Sequence, residues 1–492
     1  MPEWIRQRGL IGLVLGPLVF LLLLALPEPA GLSPQGMRVA AVAALMAIWW
    51  VSEAIPVPAT ALLPILLFPV LGVLGGSEIT RAYGHHLIYL FLGGFLIAVT
   101  MEKWNLHHRI ALHTIHLVGV TPNRIVLGFM LATAFLSMWI SNTAATMMMV
   151  TIAIAVLRET AQDAAETPDA SRFGVTLMLG IAYAASIGGV ATLIGTPPNA
   201  IFAGVVEKTY GISIGFVDWM KFGLPLSLVM LAITWVYLTR IRFRGEQPQL
   251  AGGQTFVNDQ IRRLGPMSRA EKGVAAVFSL VALLWILRGL YWPAALGMVT
   301  DSTIAIAGAL LLFVIPVNLA RREFLLDWKT AVTIPWDIIL LFGGGFALAE
   351  GFSESGLTTW LAGLLGVLQG TDIVLIVAAV VLLVIFLTEV TSNTATASLL
   401  LPVMAALAVA VEVHPFGLMA ATVIAASFAF MLPVATPPNA IVYGSHVVGI
   451  QQMAWAGLWL NLLAVVVVTG FVCLLLPHVW SLDLQDATGL IP

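Results

Sequence analysis

Two polar phrases recur inside otherwise apolar sequence. Ser141-Asn142-Thr143-Ala144 returns as Ser392-Asn393-Thr394-Ala395. Thr196-Pro197-Pro198-Asn199-Ala200-Ile201 returns as Thr436-Pro437-Pro438-Asn439-Ala440-Ile441. The offsets are 251 and 240 positions, so about half the chain separates each pair of copies. A broken helix inside a bilayer leaves backbone groups that water cannot reach, and such breaks persist where they line a cavity. A matched set in each half predicts a duplicated membrane carrier with its site where the repeats meet. One Ser-Asn-Thr alone would suggest only a hydrogen bond to a neighbouring helix.

The apolar context is general. Of 492 residues, 60% are hydrophobic and 10% charged, with mean hydropathy +1.00. A soluble domain carries about 25% charged residues, so the chain reads as a polytopic membrane protein. The first apolar run, Leu10 to Leu26, lacks a small-residue cleavage site and reads as a span rather than a removed signal. A net charge of -3 gives no footing for nucleic acid. The single cysteine, Cys473, excludes an intrachain disulfide and a thiolate metal cage. The longest polar stretch, 240–272, is too short for a core of its own.

At about 20 apolar residues per crossing, single spans are expected near 10–28, 37–55, 57–75, 86–102, 221–239, 273–290, 302–318, 335–352 and 454–477. Segments 123–158 and 371–411 are apolar for 36 and 41 residues, with a Ser-Asn-Thr phrase near the middle of each. The shorter would reach about 54 Å as one helix, far beyond a hydrocarbon core of about 30 Å. Segments 174–209 and 416–450 carry the Thr-Pro-Pro-Asn phrase, where paired prolines force a break.

Charge decides whether the Ser-Asn-Thr segments cross or return. Arg6 and Arg8 place the N-terminus in the cytoplasm by the positive-inside rule. Four spans bring the chain back inside at Lys103 and Arg109. The loop 240–272 carries Arg240, Arg242, Arg244, Arg262, Arg263, Arg269 and Lys272 against three acids, so it is inside too. Parity then makes 123–158 a re-entrant hairpin from the cytoplasm. Arg321, Arg322 and Lys329 are inside, which makes 371–411 a hairpin from outside and leaves the tail 481–492, with Asp483 and Asp486, external. The expected fold is an all-α polytopic membrane protein of eleven transmembrane helices plus two re-entrant hairpins, in two inverted repeats, as in alternating-access carriers. The expected location is a bacterial inner membrane.

Hairpin tips at mid-membrane expose helix ends, with partial positive charge on the first amides. Neutral oxygens of Ser, Asn, Thr and backbone suit a hard cation such as sodium. Helix N-termini with Asn and Thr donors suit a carboxylate or sulfate. Ser137 lies one turn before Ser141, and its mate Thr388 one turn before Ser392. Gly195 and Ala435 precede the Thr-Pro-Pro-Asn phrases, where a carbonyl is left over.

The run Ala426-Ser427-Phe428-Ala429-Phe430-Met431-Leu432-Pro433-Val434-Ala435-Thr436-Pro437-Pro438-Asn439-Ala440-Ile441-Val442 resembles the signature of the divalent anion:sodium symporter family. So do Phe386-Leu387-Thr388-Glu389-Val390-Thr391-Ser392-Asn393-Thr394 and Trp50-Val51-Ser52-Glu53-Ala54-Ile55-Pro56. The resemblance covers nearly the whole chain. It implies a first sodium site at Ser137, Ser141, Asn142 and the Gly195 backbone, and a second at Thr388, Asn393 and the backbones of Thr391 and Ala435. It implies substrate contacts from Asn142, Thr143, Thr196, Ser392, Asn393, Thr394 and Pro437. Thr196 stands where several relatives carry Ser, so its methyl trims the pocket. The resemblance further implies a homodimer and an elevator-type movement. Scaffold helices would be 1–120 and 273–368; the moving units would be 121–240 and 369–480, with 241–272 a cytoplasmic basic loop.

The expected activity is sodium-coupled uptake of a divalent anion, foremost a C4-dicarboxylate such as succinate. A cation-independent dicarboxylate exchanger, and a tricarboxylate or sulfate carrier, stay open. A channel is an alternative of a different class, told apart because it would conduct passively rather than show saturable, coupled flux. An intramembrane enzyme is a third class; His-Glu-x-x-His does not occur and no nucleophile–base pair is evident. Glu389 has two readings: a proton or cation ligand, or a partner of backbone donors. Glu53 and Glu350 sit at span ends and read as interfacial or packing residues. His107, His108, His113 and His116 have helical spacing without nearby acids and read as interfacial rather than metal ligands. Trp49, Trp50, Trp292 and Trp480 read as interface anchors. Gly93-Gly94 and Gly343-Gly344-Gly345 read as close helix contacts.

Overall fold

The computed structural model describes residues 3–119, 121–163, 168–243, 253–293 and 296–485. Arg244, Asp486 and the rest of the expected tail lie outside the described residues, as do the side chains before Gln7. The chain begins with α1 (Glu3–Ala25) packed on α2 (Pro34–Ser52). Ser33 caps α2 by accepting from the Gly36 amide, and Glu53 ends it in the left-handed conformation. The span expected at 57–75 is not one helix. It is α3 (Val57–Thr60) and α4 (Leu63–Val70), because Pro56, Pro58, Pro64 and Pro69 each remove a backbone donor.

After α5 (Gly76–Tyr83), α6 (His86–Lys103) and α7 (Leu106–Val118) comes the first predicted hairpin segment, as α8 (Pro122–Ser137) and α9 (Asn142–Asp163). The first Thr-Pro-Pro-Asn span divides into α10 (Pro168–Gly189) and α11 (Pro197–Tyr210). α12 (Phe216–Val236) continues as a π-helical turn to Arg242. α13 (Gly253–Leu264) and α14 (Arg269–Leu290) follow. α15 (Asp301–Val314) is shorter than the expected 302–318 because the chain turns at Pro316 into a small antiparallel hairpin, Pro316–Asn318 with Glu323–Phe324.

The second half runs α16 (Trp328–Ala331), α17 (Trp336–Glu354) and α18 (Leu357–Leu365), then α19 (Ile373–Thr388) and α20 (Asn393–Ala410). Its broken span is α21 (Pro415–Ser427) and α22 (Pro437–Gly444). α23 (Ile450–Gly470), a π-helical turn and α24 (Leu476–Trp480) close the chain. Among the described residues nine helices are long and apolar enough to cross a membrane. The expected crossings at 57–75, 302–318 and 416–450 are short or broken helices here, while Asn393–Ala410, an expected hairpin arm, reaches spanning length. α7 and α18 fall where loops were expected. Each leads into one Ser-Asn-Thr segment, and the bend from Leu357–Leu368 into Ile373–Thr388 is 115°.

α10 and α21 are buried all round, from Phe173 and Pro415 onward. Their Ala, Gly and Ser content permits this, since small side chains let backbones approach. A Cβ on Gly188 would lie 2.4 Å from the Ala134 carbonyl oxygen of α8. Gly93 and Gly344 act alike, against the backbones of Ala305 and Ala61. Trp50 is no interface anchor. It is 1% exposed and donates to the Val57 carbonyl, fixing the turn after α2. Trp480 stacks on Phe202 and donates to the Asp218 carbonyl inside an aromatic cluster.

Candidate functional site

Each Ser-Asn-Thr phrase starts a helix. α8 stops at Ser137, residues 138–141 turn, and α9 begins at Asn142. Ser141 caps α9, accepting the Ala144 amide at 3.2 Å on its hydroxyl. The Ser137 hydroxyl faces two acceptors, Asn142 Oδ1 at 2.5 Å and the Ala185 carbonyl at 2.7 Å, with one proton for both. Glycine at 189 lets more oxygen close in. A Cβ there would sit 2.8 Å from Asn142 Oδ1 and 3.0 Å from the Gly195 carbonyl oxygen. Oxygens crowd this buried point, and Ser137 is fully buried. A hard monovalent cation would relieve their mutual repulsion.

The second half repeats the pattern. The Thr388 hydroxyl faces Asn393 Oδ1 at 2.7 Å and the Ala426 carbonyl at 3.0 Å. Thr391 donates to or accepts from Thr396 at 2.7 Å and bonds the Leu387 carbonyl. The linkers inside the broken spans match as well. Asn199 Nδ2 donates to the Val190 and Thr192 carbonyls, at 3.2 and 2.8 Å. Asn439 Nδ2 donates to the Ala429 and Leu432 carbonyls, at 3.1 and 3.0 Å. This explains the Asn in both Thr-Pro-Pro-Asn phrases: it ties carbonyls of the non-helical linker to the start of the helix that follows.

The four breaks meet at one cavity of about 380 Å³. Its lining includes all seven expected substrate residues: Asn142, Thr143, Thr196, Ser392, Asn393, Thr394 and Pro437. Ser141, Gly195 and Ala435 line it too. Ser137, Thr388 and Thr391 do not; they are buried behind the tips. The N-termini of α9, α11, α20 and α22 thus all reach this cavity. Each helix N-terminus carries roughly half a positive charge. Ser392 and Thr196 cap their helices without a side-chain bond, so their hydroxyls are directed elsewhere. The Thr436 hydroxyl instead accepts the Asn439 amide. No Lys or Arg is among the lining residues.

Sequence reasoning missed the opposite wall. Glu53, Asp337, Phe91 and Phe95 line the cavity. Glu53 thus lines the cavity while staying exposed. The signal was the Trp-Val-Ser-Glu-Ala-Ile-Pro phrase, whose Trp50–Val57 bond and left-handed Glu53 set the turn after α2. Glu350 does pack, pairing with Lys208 at 2.5 Å. Glu389 resolves to the structural reading. Its Oε1 accepts from the amides of Phe430 and Met431 and from Asn461 Nδ2, and its Oε2 from the Leu432 amide, all within 2.7–2.9 Å. Three donors meet Oε1 and one meets Oε2, so the carboxylate ties the linker amides of Phe430, Met431 and Leu432 to Asn461.

The fold has counterparts among solved structures. The Neisseria gonorrhoeae MtrF structure superposes with a TM-score of 0.58 at 12% identity, covering 96% of this chain and 97% of that one. The Alcanivorax borkumensis YdaH transporter gives 0.58 at 14% identity, covering 97% and 98%. These share the fold alone. In sequence, the sodium-dependent dicarboxylate transporter SdcS of Staphylococcus saprophyticus is 45% identical over 484 residues, 97% of this chain and 93% of that protein. SdcS of Staphylococcus aureus strain USA300 is 46% identical over 485 residues, with the same coverage. The family described as the sodium:sulfate symporter transmembrane region matches residues 7–481, and the chain belongs to that family.

Proposed function

We propose that this protein is a secondary active transporter that couples sodium entry to uptake of a dianion, foremost a C4-dicarboxylate such as succinate. The convergence of four helix N-termini on one cavity without a basic side chain carries this reading. Such N-termini bind anions. They do not neutralise a dianion, whose transfer from water into a low-dielectric site carries a large penalty. Two sodium ions would supply the missing charge. At an effective dielectric near 20, unit charges 4 Å apart attract by about 4 kcal/mol. The oxygens of Ser137, Asn142 and Gly195, and those of Thr388 and Asn393 with Ala435 at the cavity wall, suit them. Asn142, Thr143, Ser392, Asn393 and Thr394 would hold the carboxylates, with Thr196 and Pro437 completing the pocket. Anion and cation binding are then reciprocal, and a partly loaded carrier keeps uncompensated charge and resists crossing.

The names of the SdcS relatives support a dicarboxylate. The family description names sulfate, so a sulfate carrier is the second reading. For the movement we infer an elevator: units 121–240 and 369–480 travel against scaffold 1–120 and 273–368 within a homodimer, and the two Ser-Asn-Thr segments are re-entrant. Glu53 and Asp337 sit at helix ends expected on the cytoplasmic side, so this conformation reads as open inward. The test is uptake of succinate, citrate and sulfate into proteoliposomes with and without a sodium gradient. Succinate uptake indifferent to sodium, or counterflow without sodium, would replace symport by exchange. Asn142→Ala and Asn393→Ala should each weaken sodium and substrate dependence together; normal kinetics would remove that residue from the site.

A further inference from the structure

Away from the substrate cavity, His85, His86 and Glu207 bring their ligating atoms within 4.8 Å of one another. His85 and His86 open α6, and Glu207 is near the end of α11. His86 Nε2 lies 2.9 and 2.8 Å from the two Glu207 oxygens. Its Nδ1 lies 3.3 Å from Ser302 Oγ, whose own proton goes to the His86 carbonyl at 2.7 Å. Ser302 can therefore accept a ring proton from Nδ1. In that tautomer the Nε2 lone pair faces the two carboxylate oxygens, and a cation between them satisfies all three atoms. That cation is a proton or a metal ion. A metal-ligating His usually donates its other ring nitrogen to just such a partner.

The surroundings favour the metal. The His85 ring lies 4.7 Å from that of His86 and rests on Phe346 at 4.9 Å. Lys208, next to Glu207, is paired with Glu350 and does not compete for Glu207. The His86 and Glu207 side chains are 38% and 27% exposed, so an ion can enter from solvent. We propose that His85, His86 and Glu207 form a three-ligand site for a divalent d-block cation, zinc foremost, which ties α6 to α11 and inhibits transport. Zinc bonds of about 2.0–2.1 Å set ligand atoms about 3.4 Å apart. His86 and Glu207, at 2.8–2.9 Å, must part by about half an ångström to admit the ion, and the His85 ring must close in. Water fills the fourth position. Zinc displaces the proton shared by His86 and Glu207, so affinity falls as pH falls.

The ion site stands on its own geometry; the inhibition rests on the elevator reading, in which α6 is scaffold and α11 moves. Titration calorimetry of the full-length protein with zinc chloride, in detergent, should give one ion per chain at neutral pH. His85→Ala and Glu207→Gln should weaken binding at least tenfold. His85→Ala is the decisive variant, because His85 makes only a weak 3.4 Å bond to the Leu87 amide, and its elution profile checks folding. In proteoliposomes zinc should inhibit uptake, EDTA should restore it, and His85→Ala should raise the inhibitory concentration at least tenfold. Absent binding, or binding unchanged in both variants, overturns the site. Stoichiometric binding lost in both variants, with uptake unaffected by zinc, overturns the clamp and tells against relative movement of α6 and α11.

Discussion

Replacing Glu389 with Gln tests the site through its least replaceable side chain. Four donors converge on the carboxylate. Rotated to its best orientation, a glutamine carbonyl keeps the three donors at Oε1 and sets its amide against the Leu432 N–H. That leaves a buried donor unpaired, at about 1–3 kcal/mol, and turns three charge-assisted bonds into neutral ones, at about 1 kcal/mol each. Relief of a buried charge offsets part of this, so the expected net destabilisation is about 2–4 kcal/mol. The loss falls on the linker Phe428–Thr436, which positions the Ala435 carbonyl. It also removes a negative charge one residue from Thr388. The sodium concentration for half-maximal uptake should rise about tenfold, equivalent to about 1.4 kcal/mol. Thermal unfolding in detergent and sodium activation curves in proteoliposomes read both effects. An unchanged melting temperature with an unchanged sodium curve refutes the reasoning. A shifted pH profile with sodium activation intact would reinstate Glu389 as a proton ligand.

Gly195→Ala places a Cβ 2.4 Å from the Gly189 carbonyl oxygen, a clash of backbone with backbone, and should abolish sodium-stimulated uptake in protein that still reaches the membrane. Thr388→Ser keeps the hydroxyl between Asn393 and Ala426 and should retain sodium activation, whereas Thr388→Ala should need at least tenfold more sodium. Glu53→Gln and Asp337→Asn remove negative charge from the cavity wall; each should lower the apparent KM for succinate and raise the sodium requirement, by about two- to tenfold at low ionic strength. Lys103, through its bond to Asp327, holds that exposed carboxyl below its ordinary pKa. A depressed carboxylate stabilises above its unfolded pKa and loses this as pH falls through the folded value. Asp327→Asn should therefore lower the melting temperature near pH 7, with the gap to the parent closing in acid.

The breaks were legible because polarity inside a membrane is expensive and therefore meaningful. Ser141, Asn142, Thr196 and their mates announced themselves as polar residues in apolar runs, and one cavity gathers them. The helices between breaks were less legible. Four prolines cut 57–75 into two short helices, although its hydropathy reads as a span. α7 and α18 were hidden because they are too short to cross, and hydropathy offers no other template for them. In sequence Glu53 reads as interfacial or packing, and Asp337 passes unremarked, for another reason. A carboxylate at a span end looks the same in sequence whether it faces headgroups or a cavity, and only the turn set by Trp50 distinguishes them. Glu207 lies 121 positions from His86 in sequence, and no local spacing could join it to the two histidines.

The repeats agree in their oxygens and differ in their charge. In both, the residue after the Ser137 or Thr388 position is tied to the same point of the broken span. In the first repeat Thr192 donates to the Met138 carbonyl at 2.6 Å. In the second the mates are Leu432 and Glu389, and the Leu432 amide donates to the carboxylate at 2.9 Å. One tie is neutral and the other carries a full negative charge next to the second oxygen cluster. On the proposed function, two cation sites built on the same oxygens would not be energetically equal. The charge beside Thr388 favours cation binding at that cluster, so the second site should fill at lower sodium than the first. Its occupation would set the Asn393 tip before the anion arrives. Glu389→Gln should therefore weaken the tighter of two sodium-binding steps while leaving the weaker near its parental value, and equal weakening of both would show that the carboxylate acts on the whole cavity rather than on one site.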